Sequence, residues 1–116
     1  MGLEIDRSVA LSLWSAVTLE GVRGETPDLS ARQLAVLMTV YLSDPPHGVR
    51  TLSDSLATPK PAISRAVDAL SELGLVRRKR DLEDRRNVLV QRTVAGSVYL
   101  TEFADRIARA AKALEV

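Results

Sequence analysis

The sequence predicts a mainly α-helical chain carrying one small β-hairpin, and three observations support that class. Apolar residues recur at three- and four-residue spacing along several separate segments. Aromatics supply only 3% of the 116 residues, so the core must be built from Leu, Val, Ile and Ala, which suits packed helices. After Gly74 the pattern changes to two short strand-like runs flanking a polar segment.

A first helix is expected from about Ser8 to Leu19, within residues 8–20. Its apolar positions (Val9, Ala10, Leu11, Leu13, Trp14, Ala16, Val17, Leu19) cover more than one face, and Gly21 and Gly24 are read as its stop. A helix apolar on two sides needs cover on both, and a partner subunit is a candidate for the second. Ser30-Ala-Arg-Gln33 forms a capping box, in which the Ser30 hydroxyl accepts from the Gln33 amide and the Gln33 side chain reaches back. The helix it opens carries a stripe of Leu34, Leu37, Met38, Tyr41 and Leu42. Asp44-Pro-Pro-His-Gly48 forces a turn, and Thr51 is placed as the cap of a short helix from Leu52 to Ala57.

The next helix is expected over about 59–73, with Thr58 as N-cap and Pro59 at the tolerated first position. Ile63, Val67, Leu70 and Leu73 face inward, and Gly74 supplies the stop. Lys60, Ala62, Ser64, Arg65 and Asp68 are left at or near the outer face. Leu75 to Arg80 then reads as one strand and Asn87 to Arg92 as its return, with Asp81 to Arg86 as the hairpin tip; the whole wing spans about 77–92. Thr93 caps a last helix, about 94–115, whose seam of Leu100, Phe103, Ile107, Ala110, Ala111 and Leu114 is either a core face or a dimer seam.

Length allows one domain with a real core, so residues 1–116 are read as a single unit with the first and last helices flanking it. No apolar run approaches the roughly 20 residues needed to cross a bilayer. The N-terminus, bearing Glu4 and Asp6, does not resemble a secretory signal. A soluble cytoplasmic protein is expected. The absence of cysteine excludes disulfides, thiolate chemistry and zinc fingers. His47 sits in a Pro/Gly turn with no ligand cluster nearby. No nucleophile–base pair, metal cluster or Gly-rich phosphate loop is visible, so neither an enzyme nor a cofactor is expected.

Net charge is only +1, but its distribution is uneven. From Pro59 to Arg92 nine Lys/Arg stand against five Asp/Glu, a local +4 that leaves −3 for the remainder. That is the footprint expected for a phosphate backbone, although a solvated charged face has the same composition. Arg77-Arg-Lys-Arg80 is open to three readings: a solvated strand face, a targeting signal, or a phosphate contact. Its place just before the hairpin tip favours the last.

A short helix, a tight turn, a basic-faced helix and a basic hairpin follow the order of a winged helix-turn-helix. A helix fits the B-DNA major groove, and a basic hairpin tip suits the neighbouring minor groove. The stretch from Leu52 to Gly96 resembles the DNA-binding core of the MarR-type (multiple antibiotic resistance) regulators. The matching segments are Leu52-Ser-Asp-Ser-Leu56, Ile63-Ser64-Arg65-Ala-Val67-Asp-Ala-Leu70 with Gly74-Leu-Val76, Asp81-Leu-Glu-Asp84-Arg85-Arg86, and Thr93-Val-Ala-Gly96. The wing segment discriminates best among winged-helix families.

The resemblance implies that Ser64 and Arg65 contact DNA in the major groove and that Arg85 reaches the minor groove, while Asp84 orients the wing. The full candidate DNA-facing set is Thr58, Lys60, Pro61, Ala62, Ser64, Arg65, Arg78, Arg80, Asp84, Arg85 and Arg86. Asp81, Glu83 and Asp84 are read as hairpin residues salt-bridged to Arg85 and Arg86. The family's pattern is departed from at Leu82, where proline is frequent, and at Arg92, where an apolar strand residue is usual. One usual C-terminal dimerisation helix has no counterpart, which argues against a small-molecule effector pocket. The expected partner is double-stranded DNA, bound by a homodimer; a winged-helix protein-interaction module without sequence-specific DNA binding is the alternative.

Overall fold

The protein is described by a computed structural model covering residues 4–114. In chain order the elements are α1 (Arg7–Arg23), α2 (Ala31–Leu42), β1 (His47–Gly48), α3 (Val49–Ser55), α4 (Lys60–Glu72), β2 (Val76–Arg80), β3 (Val88–Arg92) and α5 (Val94–Ala113). The strands form one antiparallel sheet in the order β1-β3-β2, and with α3 and α4 they make a winged helix. The residues group into two compact units, one from Leu29 to Leu100, the other from the segments before Leu29 and after Leu100.

The Leu29–Leu100 unit is organised around α4. Ile63, Ala66, Val67 and Leu70 of that helix meet Val36, Leu37 and Val40 of α2, Leu52 of α3, Leu75, and Val76 and Val90 of the sheet in one buried cluster. The Ser30/Gln33 capping box forms as expected, at 3.1 and 2.9 Å. The buried face of α2 is rotated from the expected stripe: Val36 and Val40 are inside with Leu37, whereas Leu42 is 82% exposed. Tyr41, from the expected stripe, stays half-buried at the edge of that face. Its hydroxyl accepts the Thr93 amide (2.8 Å) and shares its proton between the carbonyls of Thr93 (2.9 Å) and Leu75 (3.0 Å). Gly96 is buried against this junction, where an added Cβ would collide with the Tyr41 hydroxyl and the Leu75 carbonyl. Thr93 caps α5 by accepting the Gly96 amide at 3.0 Å.

Three local expectations are corrected here. The turn before α3 contains a two-residue strand, with His47 paired to Val90 and Gly48 to Leu89; two residues are too few to show alternation in sequence. Helix α3 begins at Val49, because Gly48 is the N-cap and Thr51 lies three residues on, bonded to the Gly48 amide (3.0 Å) and carbonyl (3.1 Å). It ends at Ser55, and Ala57 adopts φ 47° in the tight turn to α4. The stop at Gly74 is as expected: Gly74 takes φ 76°, and the Leu75 amide returns to the Leu70 carbonyl at 2.9 Å.

The second unit holds α1 and the C-terminal part of α5. Asp6 caps α1 through the Val9 amide at 2.9 Å. The helix runs through Gly21, expected as a stop, and ends at Gly24. Gly21 has a packing reason: a Cβ there would lie 3.1 Å from Nη1 of Arg106. Arg106 is buried, bonded to Thr26 at 3.4 Å and placed over the Phe103 ring at 5.7 Å. Arg109 pairs with Glu20 at 2.6 Å. In the expected α5 seam, Phe103 is buried, Ile107 and Ala110 are half-buried, and Ala111 and Leu114 are exposed. No helix among the described residues is long and apolar enough to cross a membrane; residue 115, the expected end of the last helix, lies outside them.

Candidate nucleic-acid interface

Helix α4 is strongly two-sided. Its inward residues are locked into the core, which fixes the direction in which the opposite face points. Lys60, Pro61 and Arg65 are exposed and Ser64 is half-buried. Ala62, expected near the outer face, is 7% exposed. It lies one turn before the buried Ala66, so the two alanines extend the core edge of the helix. Thr58 does not cap α4. Its hydroxyl donates to the Leu56 carbonyl (2.8 Å) and its carbonyl accepts from Ser53 (2.5 Å), which ties it into the interhelical turn. Pro59 occupies the N-cap position without a side-chain bond, leaving the first turn of α4 uncapped by any side chain.

In the hairpin, β2 and β3 pair from Val76↔Arg92 to Arg80↔Val88. Side chains alternate between faces along a strand, so Arg78 and Arg80 share a face with buried Val76, and Arg77 and Lys79 project from the other. Arg78 uses that position to pair with Asp68 of α4 at 2.6 Å, each side chain about half exposed. This pair links α4 to the wing, a role the sequence did not suggest for either residue. Arg77 reaches Gln91 across the strands at 3.4 Å.

The tip is shaped by polar bonds rather than by apolar packing. Asp81 Oδ1 accepts the amides of Glu83 (3.0 Å) and Asp84 (3.3 Å), and Oδ2 accepts from the Asn87 side chain (3.3 Å). The Glu83 amide is foremost in holding the Asp81 carboxyl below its ordinary value; the Asn87 side chain, the Asp84 amide and the positive charge of Arg50 act in the same direction, against partial desolvation. Asp84 accepts the Arg86 amide at 3.1 Å. Its ionic partner is Arg50 of α3, at 3.3 Å. The expected salt bridges from the tip carboxylates to Arg85 and Arg86 are therefore corrected. Among the described residues those two arginines make no ion pair, and both are exposed. Leu82 stands 82% exposed at the turn.

Arg92 also finds its explanation here. Its Nε donates to the Val40 carbonyl (2.9 Å) and Nη2 to the Ser43 carbonyl (2.8 Å), and its guanidinium lies 5.9 Å from the centre of the Tyr41 ring. It satisfies carbonyls at the C-terminus of α2, so it is a structural cation rather than a free one. His47 is buried with Nε2 3.2 Å from the Ser43 carbonyl. Among the described residues no group of His, Cys, Asp and Glu is placed to hold a metal ion.

Comparison with known proteins bears on the family and the fold. The model of the MarR family matches residues 29–88. A point mutant of MepR from S. aureus, bound to an oligodeoxyribonucleotide, superposes with a TM-score of 0.81 at 16% identity, covering 93% of this chain and 77% of that one. A MarR-family transcriptional regulator from Rhodococcus sp. RHA1 gives 0.67 at 26% identity, covering 89% and 70%. A MarR transcriptional regulator from Methanosarcina mazei Go1 gives 0.68 at 26%, covering 93% and 77%. Among curated protein sequences, none matches the chain.

Proposed function

The chain belongs to the MarR family, and from that premise we propose that it is a DNA-binding transcription regulator with α4 in the major groove and the β2–β3 wing at the adjacent minor groove. The observation that carries this reading is the common exposure of Lys60 and Arg65 on α4 with Arg77, Lys79, Arg80, Arg85 and Arg86 on the wing. Ser64 and Arg65 are the base-reading candidates, Arg85 the minor-groove contact, and Lys60 and Arg80 phosphate contacts. Pro61 faces solvent beside them. Thr58, Ala62, Arg78 and Asp84 act by holding the surface in place. The oligonucleotide bound to the MepR mutant supports the assignment by likeness of fold.

The proposed assembly is a homodimer on a pseudo-palindromic site, its recognition helices entering successive major grooves about 10 base pairs apart. Leu11 and Trp14 of α1, 74% and 53% exposed, motivate this, because one small unit gains nothing by presenting them to water. Sedimentation showing only monomer at micromolar concentration sinks the dimer.

A fluorescence-anisotropy titration against random-sequence duplex at low salt tests the DNA reading. Micromolar or tighter binding that weakens steeply with salt is expected. No binding favours a winged-helix module that holds a protein partner. In the same assay Arg85→Ala should weaken binding and lower the salt slope by about one. Ser64→Ala or Arg65→Ala should cost about 1–3 kcal/mol on a preferred site and relax sequence preference. Equal losses on preferred and random duplex would demote either residue to a phosphate contact.

A further inference from the structure

The tip of the wing, residues 81–86, has little apolar attachment: Leu82 points to water and no residue of the segment belongs to the buried cluster. The Asp81 bonds fix the internal shape of the tip but all end within the hairpin. What lies beside the hairpin is the start of α3. Gly48, its N-cap, approaches Asn87 so closely that an added Cβ would stand 2.8 Å from the Asn87 amide group. Two residues on, Arg50 extends to Asp84 Oδ2 at 3.3 Å. Among the described residues no other side-chain bond joins residues 81–86 to a helix.

We infer that Arg50 is a positioning residue for the wing: its guanidinium anchors Asp84 to α3, and Asp84, through the Arg86 amide, sets the direction of the Arg85-Arg86 pair. The inference rests on the DNA-binding reading for its consequence but not for its geometry. The arrangement explains why a carboxylate stands on a surface built for phosphate. A lone Asp84 beside Arg85 would repel the duplex, whereas Asp84 neutralised by Arg50 costs little and holds two arginines in place. Asp81 also lies within the field of Arg50, so one cation serves both carboxylates that shape the tip. The alternative role for Arg50 is a direct phosphate contact, and the two roles predict opposite signs. If Arg50 acts through Asp84, removing the Asp84 charge frees the wing and weakens binding. If Arg50 touches phosphate itself, removing that charge releases Arg50 and strengthens binding.

Amide hydrogen exchange on the free 116-residue chain tests the anchor without DNA. Arg50→Ala and Asp84→Asn should each speed exchange at the Arg86 and Asn87 amides by between about 1.5- and fivefold, the range for an exposed ion pair. The double variant should add nothing further, Arg50→Lys should recover part of the protection, and exchange in α2 and α4 should stay at wild-type rates. Wild-type exchange at the wing in both single variants overturns the inference. Anisotropy with random-sequence duplex, about two helical turns long, then reads the consequence: both single variants bind more weakly, by non-additive factors. Tighter binding by Asp84→Asn overturns the positioning role in favour of direct contact. If wild type fails to bind duplex at low salt, the DNA reading fails, while the exchange data still decide whether the anchor exists.

Discussion

The unit from Leu29 to Leu100 and the helical unit before and after it differ in how much of their apolar surface they bury. In the first, a full set of large residues is inside: Leu37, Leu52, Ile63, Leu70, Val36, Val40, Val67 and Val76 are all but inaccessible to water, while Leu42, Leu73, expected to face inward, Leu82, Val94 and Val98 are exposed. In the second, Val17 and Phe103 are buried while Leu11, Trp14, Leu19 and Val22 face outward. The charges differ in one respect. Both units carry exposed and ion-paired cations, and the second in addition buries Arg106 against Gly21. On the proposed reading, the surface that meets a duplex stays basic and wet, backed by a core complete in itself, and the surface that meets a second copy keeps apolar area in reserve.

The largest test of that contrast lies in the core. Leu70→Ala removes a wholly buried side chain where α2, α4 and the sheet converge, and should cost about 2–5 kcal/mol in a urea titration. Trp14→Ala should behave differently. Amide exchange in α4 should remain near wild type, while the dimer dissociation constant measured by sedimentation rises about tenfold or more, as for a central aromatic anchor. If Trp14→Ala instead unfolded α4 and left assembly unchanged, the division of labour between the units would be wrong.

The sequence made the Leu29–Leu100 unit legible because its signals are local. A capping box, a glycine stop and a strand pair each depend on a few adjacent residues, and each forms where expected. Long-range side-chain bonds were not legible. Arg50, Asp68 and Arg92 acquire their roles from partners 34, 10 and as many as 52 positions away, and no spacing rule connects them. Arg92 did announce itself as a cation in a strand position that suits an apolar residue. Ala62 was misplaced because a small residue at the edge of an inward stripe fits either face of a helix. The Tyr41 hydroxyl likewise bonds to partners 34 and 52 residues on, beyond the reach of any spacing rule.

Arg92→Ala sharpens the distinction between structural cations and those proposed to face DNA. It should lower stability by roughly 1 kcal/mol, because the α2 carbonyls it serves can turn to water. Exchange should quicken in the last turn of α2, and the salt slope of duplex binding should not change. A slope reduced by about one would move Arg92 to the phosphate-contacting set.

The smallest effect expected concerns pH and the wing alone. Asp81 is held below its ordinary value of 3.8, foremost by the Glu83 amide. The linkage sign follows: for a depressed carboxyl the added order is present above the unfolded value and lost as pH falls through the folded one. The wing should therefore stay ordered through the neutral and mildly acidic range and loosen only below about pH 4, while the apolar core has no such dependence. The Glu83 and Asp84 amide resonances, followed by NMR as the solution is acidified, should move with a midpoint below 3.8. Asp81→Asn should abolish that titration and leave the α4 amides unmoved. A midpoint at or above the ordinary value would mean that the amide bonds do not favour the ionised carboxylate. The shape of the tip would then depend on the Arg50–Asp84 pair and on Asn87, and less on its own backbone.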